Sequence, residues 1–124
     1  MHTLYHAKSS AKKWGGEPEE YLPVHEFLDQ SKVALGDVRH RAALHHTLGT
    51  RLAEQALGAV LTLSTGREVP VREVAERHII EDLGWLPTPA DWFKTISLRA
   101  VPWAGGHPKA LKRKGIALSP RIPA

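Results

Sequence analysis

The chain has 124 residues, of which 42% are apolar and 24% charged, with a formal net charge of +4; these values are typical of one globular domain and exclude wholesale disorder. Cysteine is absent, which excludes disulfide bonds and zinc sites built on thiolates. No apolar run approaches the roughly 20 residues of a membrane-spanning helix and no apolar signal segment is seen, so we expect a cytoplasmic protein without membrane contact.

The first part of the chain predicts two helices. Residues 6–14 form a short helix that the breaker pair Gly15-Gly16 ends. Pro23 suits the first turn of a second helix over about 23–35, because a proline lacks the N–H that would have no partner there.

A longer helix is predicted over about 37–57. Asp37 is a good N-cap, and Gly58 is a good residue to end the helix. Gly49 inside it costs about 1 kcal/mol relative to alanine, which indicates that another backbone packs closely there. On a continuous helix the apolar face holds Val38, Leu48, Gly49, Leu52 and Ala56.

The next segment predicts a hairpin and a helix. Residues 59–64 and 67–69 are prone to form strands and flank the turn Thr65-Gly66. Pro70 then opens a helix through Leu83. The predicted fold class is therefore mainly α, a small bundle of about four helices with a short β-hairpin.

Beyond a last short helix that opens at Thr88, the composition changes. Residues 104–124 contain five basic residues and no acid, whereas the rest of the chain has a net charge of −1. We expect a single helical domain over 1–103 and a flexible basic tail over 104–124. Candidate contacts to nucleic-acid phosphates in this tail are Lys109, Lys112, Arg113 and Lys114.

Histidine is unusually frequent, with eight residues. His45 lies near the middle of the apolar face of the 37–57 helix, and His78 lies on that of the 70–83 helix, with Asp82 one turn later. A buried imidazole needs hydrogen-bond partners or a cation, and a buried carboxylate needs them more. Imidazole and carboxylate together suit a divalent transition metal, zinc first.

The predicted metal site therefore contains His45 and His78 as its safest ligands. Asp82 is a further ligand or a partner that orients His78, and His6 or His25 completes the shell from the N-terminal segment. His40 and His46 compete for the same role, but on an ideal helix they diverge from His45 by roughly 100–140°. The alternative is that each histidine is simply hydrogen-bonded.

His25 and Asp29, four residues apart, are assigned to the flank of their helix, where a solvated face is the favoured interpretation. Arg39 and Arg41 flank His40 and are candidate phosphate-binding residues, with a solvated face as the alternative. Gly-rich phosphate loops, serine elbows and cysteine nucleophiles are missing, so the simplest candidate for any chemistry is a metal-activated water with a histidine or carboxylate as base.

Two blocks of residues carry a resemblance to a known family over roughly 6–96. One block contains Arg39-His40-Arg41-Ala42 and His45-His46; the other contains Val69-Pro70-Val71-Arg72, His78 and Glu81-Asp82-Leu83-Gly84. The chain resembles a small uncharacterised family of bacteria and their phages. The resemblance implies that these residues act together and that the protein is a phage or prophage accessory protein, and it implies no activity.

Three functions compete. The first is a metal-binding helical domain, including a small hydrolase of a phosphorylated or nucleotide-like substrate. The second is a nucleic-acid-associated accessory protein that binds through its tail. The third is a protein-interaction module, such as an inhibitor, in which the histidines are purely structural. Whether the protein is an enzyme and whether it forms a homo-oligomer are left open.

Overall fold

The computed structural model describes residues 2–95. The chain divides into two compact units between Asp91 and Trp92, and the site described below lies wholly in the first. Within the described residues no helix is both long and apolar enough to cross a membrane. The predicted domain boundary at 103 and the tail over 104–124 lie outside these residues and stay predictions.

Residues 2–95 are mainly helical with one two-stranded antiparallel sheet, which confirms the predicted fold class. The elements in chain order are α1 (Thr3–Trp14), α2 (Leu22–Asp29), α3 (Arg41–Leu44), α4 (Thr47–Leu57), β1 (Val60–Thr62), β2 (Glu68–Pro70), α5 (Val71–Leu83) and α6 (Pro89–Phe93). Short 3-10 turns precede α2, follow it, and lead into α3.

Local capping residues set the start of α1 and the end of α5, whereas α2 ends at Asp29 and not at the predicted residue 35. The imidazole of His2 accepts a hydrogen bond from the backbone N–H of Leu4 at 3.2 Å, so α1 begins three residues before the predicted start. Gly84 ends α5 in the left-handed conformation, with φ at 83°, and its N–H bonds to the carbonyl of Ile80 at 2.7 Å.

The predicted continuous helix over 37–57 is wrong, because the chain breaks between α3 and α4. His45 has φ −82° and ψ 67°, and His46 is extended at φ −163° and ψ 177°. The Nδ1 atom of His46 accepts the backbone N–H of Gly49 at 3.1 Å and caps α4. The predicted apolar face fails with the helix: Val38 is 65% exposed and Leu48 is 45% exposed.

Gly49 permits this break. A Cβ atom at this position would collide with the carbonyl oxygen of Leu44, the last residue of α3. The predicted close approach of another backbone is therefore confirmed, but the backbone is the preceding turn of the same segment and not a distant helix.

The hairpin joins α4 to α5. Leu61 lies opposite Val69 in the ladder, and Gly66 in the turn has φ at 90°. The helices α1, α2, α4 and α5 enclose the core, and α5 packs against the other three. The buried apolar residues are Ala7, Trp14, Tyr21, Val24, Leu28, Ala53, Leu63, Val69, Val71, Val74, Ala75 and Ile79.

We expect the change Gly49→Ala to lower the free energy of unfolding by about 1–3 kcal/mol or more, because the added methyl group forces the α3–α4 break apart. Gly36→Ala is the matched control: Gly36 has no heavy atom within 4 Å of a built Cβ. Urea unfolding of both variants checks this. Equal stability of the two would contradict the role of Gly49.

Candidate metal centre

A cluster of polar side chains lies inside the first unit. The imidazoles of its four histidines are completely buried, and its two aspartate side chains are 7% and 2% exposed. The members are His6, His25, Asp29, His45, His78 and Asp82. Because burial of unpaired polar groups costs several kcal/mol, the contacts of this cluster decide whether the fold is stable.

Three helices present the cluster through pairs of residues four apart, which share one helical face. The pairs are His6 with Ser10 on α1, His25 with Asp29 on α2, and His78 with Asp82 on α5. The remaining member, His45, comes from the break between α3 and α4. The break therefore serves the site, because it brings a fourth segment to the three faces.

Four atoms at the centre are arranged as the ligands of one metal ion would be. The Nε2 atom of His45 lies 3.0 Å from Oδ2 of Asp82 and 3.7 Å from Oδ1 of Asp29. The Nε2 atom of His78 lies 3.2 Å from Oδ1 of Asp29 and 3.4 Å from Oδ2 of Asp82. Ligands bound at 2.0–2.1 Å in a tetrahedron lie about 3.3 Å apart.

Each of these four atoms lies within 4 Å of two of the others. Each Nε2 atom carries at most one hydrogen and faces two carboxylate oxygens, and each of these oxygens faces two ring nitrogens. A cation at the centre would contact all four at once. The buried histidine and aspartate groups therefore lie close enough together to hold a metal ion.

The other oxygen of Asp82 is held from outside the centre. Oδ1 lies 3.1 Å from Nε2 of His6 and 3.7 Å from Nη2 of Arg41. The second nitrogen of His6, Nδ1, contacts Glu81 at 2.9 Å. These contacts fix the carboxylate of Asp82 so that Oδ2 faces the two Nε2 atoms.

Asp29 repeats the same arrangement. Its Oδ2 atom accepts a hydrogen bond from the hydroxyl of Thr3 at 3.1 Å and lies 3.5 Å from Nζ of Lys32. Its Oδ1 atom is left to face His45 and His78. Both carboxylates are therefore anchored through one oxygen, as expected for ligands oriented by outer partners.

His25 and His6 contact the ring of His78 from two sides. The Nδ1 atoms of His25 and His78 lie 2.9 Å apart, and Nε2 of His25 lies 2.8 Å from the hydroxyl of Ser10. The ring of His6 stacks on that of His78 with centroids 3.7 Å apart. These contacts fix the plane of the His78 ring.

The pKa shifts follow from burial and from these contacts. Burial acts to raise the pKa of both aspartates, but hydrogen bonds from the imidazoles hold the pKa of Asp29 and of Asp82 well below the usual range. Burial acts to lower the pKa of His78, and its hydrogen bonds to the same two carboxylates outweigh burial and raise the pKa. The carboxylates are therefore ionised, as metal ligands must be.

Burial dominates at the other histidines. Burial, followed by the nearby charges of His78 and His6, lowers the pKa of His25 to about 3. Burial also lowers the pKa of His45, against its hydrogen bond to Asp82. His25 and His45 are therefore neutral at pH 7, the form in which imidazole binds a metal ion.

All five predicted metal residues lie in one cluster, with different contacts. The Nε2 atoms of His45 and His78 face Oδ2 of Asp82. The ring nitrogens of His6 contact Glu81 and the outer oxygen of Asp82, and those of His25 contact Ser10 and His78. One nitrogen each of His6, His25 and His78 also lie within 4.8 Å of one another. Whether His6 and His25 ligate directly stays a prediction.

The competing histidines have separate roles in the fold. His40 is buried and contacts Ser31, with its Nδ1 3.0 Å from that hydroxyl, and His46 caps α4. Arg39 forms an exposed ion pair with Asp37, with Nη2 2.8 Å from Oδ2. Arg41 instead lies beside Asp82, so only one of the two predicted phosphate-binding arginines is next to the cluster.

Asp29 is the centre residue that the sequence interpretation missed. The interpretation of His25 and Asp29 as a solvated flank is wrong, because their side chains are 0% and 7% exposed. A signal existed: the spacing His25-x3-Asp29 repeats that of His78-x3-Asp82. The two pairs supply both central carboxylates.

A protein-family model described as a domain of unknown function (DUF6915) matches residues 1–104. The match covers most of the chain and confirms the prediction of an uncharacterised family, whereas the occurrence in bacteria and phages stays a prediction. No curated protein and no solved structure matches the chain significantly.

The pKa shifts predict that the metal-free protein loses stability on acidification. Burial lowers the pKa of four histidines, His25, His40, His45 and His46, so below about pH 6.5 the unfolded chain takes up protons that the folded chain refuses. The raised pKa of His78 acts in the opposite direction, but for one group only. Each net proton lowers the free energy of unfolding by about 1.4 kcal/mol per pH unit.

Urea unfolding in excess chelator at pH 7.5, 6.5 and 5.5 measures this effect. The variant His25→Asn removes the group whose pKa is lowered to about 3, so its stability should fall less steeply with pH. A wild-type protein that is as stable at pH 5.5 as at 7.5 would contradict the burial of neutral histidines.

Proposed function

Since the chain belongs to the DUF6915 family, whose description assigns no function, we propose a function from the site itself: the protein binds one divalent transition metal ion, zinc first. The ligands are Nε2 of His45, Nε2 of His78, Oδ1 of Asp29 and Oδ2 of Asp82. The observation that carries the proposal is that these four atoms lie 3.0–3.7 Å apart along the four measured edges, close to a tetrahedral zinc shell.

Charge supports a divalent ion. The two ionised carboxylates bring a charge of −2 to side chains that are 7% and 2% exposed, and a divalent ion neutralises it at the point where both carboxylates converge. Two imidazoles and two carboxylates suit zinc, and also iron, nickel or manganese. In this shell His6 and His25 orient ligands from outside, since each of their ring nitrogens already has a side-chain partner.

We expect protein purified without a histidine tag to retain about one metal ion per chain. Zinc at 1,000 times its dissociation constant stabilises the fold by about 4 kcal/mol, which raises the melting temperature by roughly 10 °C or more. Elemental analysis and thermal unfolding with and without chelator measure both effects. Metal-free protein whose melting is unchanged by chelator and by added zinc contradicts the proposal.

Variants of similar volume assign the ligands. His78→Gln and Asp82→Asn should abolish zinc retention, because each removes a ligand and leaves the remaining ones in place. The control is His2→Gln, since His2 lies at the exposed start of α1, where its imidazole accepts the N–H of Leu4 and its ring lies edge-on to Tyr5. Retention of zinc by all three variants would place the metal elsewhere.

A second candidate function is hydrolysis of a phosphorylated or nucleotide-like substrate, and Arg41 favours it. Its side chain is 20% exposed and lies 3.7 Å from Asp82, and its buried Nε atom has no hydrogen-bond partner among residues 2–95. A guanidinium with a spare donor beside a metal centre suits a phosphate oxygen. A divalent ion bound there would lower the pKa of a water molecule that replaced one of the four ligands, and so would supply a nucleophile.

This candidate predicts that zinc- or manganese-loaded protein hydrolyses a simple phosphate monoester such as p-nitrophenyl phosphate. Arg41→Gln should lower kcat/KM by about 100-fold or more, as expected for loss of a charged hydrogen bond in the transition state. Arg39→Gln is the matched control, because Arg39 is already paired with Asp37 at the surface. Metal-loaded protein without hydrolytic activity leaves metal binding as the function.

The remaining hypotheses are kept as proposals. Nucleic-acid contact through Lys109, Lys112, Arg113 and Lys114 concerns residues beyond the described part of the chain. An interaction module with purely structural histidines would show the same buried network and would bind no metal, so elemental analysis separates it from the main proposal.

A further inference from the structure

On the side of His78 away from the metal centre, contacts run without a gap through His25 and Ser10 to the backbone of His6, and we call this series of hydrogen bonds the relay. Nδ1 of His78 lies 2.9 Å from Nδ1 of His25, and Nε2 of His25 lies 2.8 Å from the hydroxyl of Ser10. That hydroxyl lies 3.0 Å from the backbone carbonyl oxygen of His6, one turn earlier on α1. The side chains of Ser10, His25 and His78 are all completely buried.

The donor and the acceptor of each hydrogen bond in the relay can be deduced from the number of hydrogens on each ring. A metal ion at Nε2 of His78 leaves the single hydrogen of the neutral ring on Nδ1. Two N–H groups cannot face each other at 2.9 Å, so Nδ1 of His25 must accept. The one hydrogen of a neutral His25 is then on Nε2.

Ser10 and the backbone carbonyl of His6 form the end of the relay. Nε2–H of His25 donates to the oxygen of Ser10, and the hydroxyl hydrogen of Ser10 donates to the carbonyl of His6. A carbonyl oxygen has two acceptor sites, so it can take this bond in addition to its helical one. Every donor in the relay then has an acceptor.

We propose that Ser10 and His25 are positioning residues that hold His78 in the Nδ1–H form and so present its Nε2 lone pair to the metal ion. This inference rests on the proposed metal site, and it explains why α1 places two polar residues, His6 and Ser10, in the interior. It also assigns His25 to the orientation of a ligand and not to ligation. Outer partners of this kind change metal affinity by about 10- to 100-fold.

Long-range proton–nitrogen correlation spectra of the zinc-loaded protein, labelled with 15N in histidine, test the proposal directly. We expect the proton of His25 on Nε2 with an unligated Nδ1, and the proton of His78 on Nδ1 with Nε2 bound to zinc. A proton on Nδ1 of His25, or zinc bound to either nitrogen of His25, would overturn the relay. These spectra use the wild-type chain and do not depend on whether a variant folds.

Zinc titration of variants provides the second test. Ser10→Ala leaves the buried Nε2–H of His25 without an acceptor, so the dissociation constant for zinc should rise about 10- to 100-fold. The matched control is Thr50→Val: Thr50 is also buried, and its hydroxyl also donates to a carbonyl of its own helix, that of Thr47 at 2.8 Å. An equal effect of both variants overturns the relay.

Two substitutions at position 25 test whether this side chain must accept a hydrogen bond from His78. His25→Asn places an amide oxygen near the former Nδ1 atom and can accept from His78, whereas His25→Leu cannot. We expect the Asn variant to bind zinc more tightly than the Leu variant, and equal affinities would contradict the relay. If the wild type binds no zinc, the proposed function fails and the relay with it; if zinc binds with another tautomer at His25, the relay alone fails.

Discussion

Two carboxylates in the interior are the constraint on which the rest of this structure depends. Asp29 and Asp82 are ionised and almost fully enclosed, and a buried charge destabilises a fold by several kcal/mol unless it is compensated. Compensation comes from four segments of the chain. The helix α1 approaches Asp29 through Thr3 and Asp82 through His6, so it is attached to α2 and α5 by polar contacts as well as by apolar packing.

The same constraint explains the irregular backbone between α3 and α4. In a straight helix the neighbouring residues would fix the direction of the His45 side chain. At the observed break its Nε2 atom instead lies 3.0 Å from Oδ2 of Asp82. The break exposes backbone groups that a helix would have satisfied. His46 compensates by capping α4, and Gly49 provides the space for the carbonyl of Leu44. His45, His46 and Gly49 together thus place one imidazole beside Asp82.

The sequence predicts the ends of most elements because glycine, proline and capping residues act locally. The helix that ends at Gly84 and the hairpin around Thr65-Gly66 depend on two or three residues each, and both are confirmed. The break at His45 is different, because its driving force is a contact with Asp82, 37 positions away. A pattern of helical spacing contains no information on that contact.

The sequence predicts only part of the candidate site, and the reason is again physical. The prediction of His45 and His78 rests on the direction that they share with apolar residues on an ideal helix, and this criterion assumes that the buried side of a helix is apolar. The buried side of α2 at His25 and Asp29 is polar, so the same criterion wrongly places both side chains in solvent. Where a core contains paired charges, repeated spacing such as His-x3-Asp is a better guide than the neighbouring apolar residues.

The burial of the cluster is asymmetric, and this asymmetry bears on what the site can do. On one side the stacked rings of His6, His25 and His78 are fully enclosed. The outer oxygens of the two aspartates instead meet Lys32, which is 44% exposed, and Arg41, which is 20% exposed. A shell of four protein ligands is typical of a structural metal site, and a catalytic one keeps a position for water. If a ligand exchanges here, it does so beside these two cations, where an anionic group is stabilised and a cationic one is repelled.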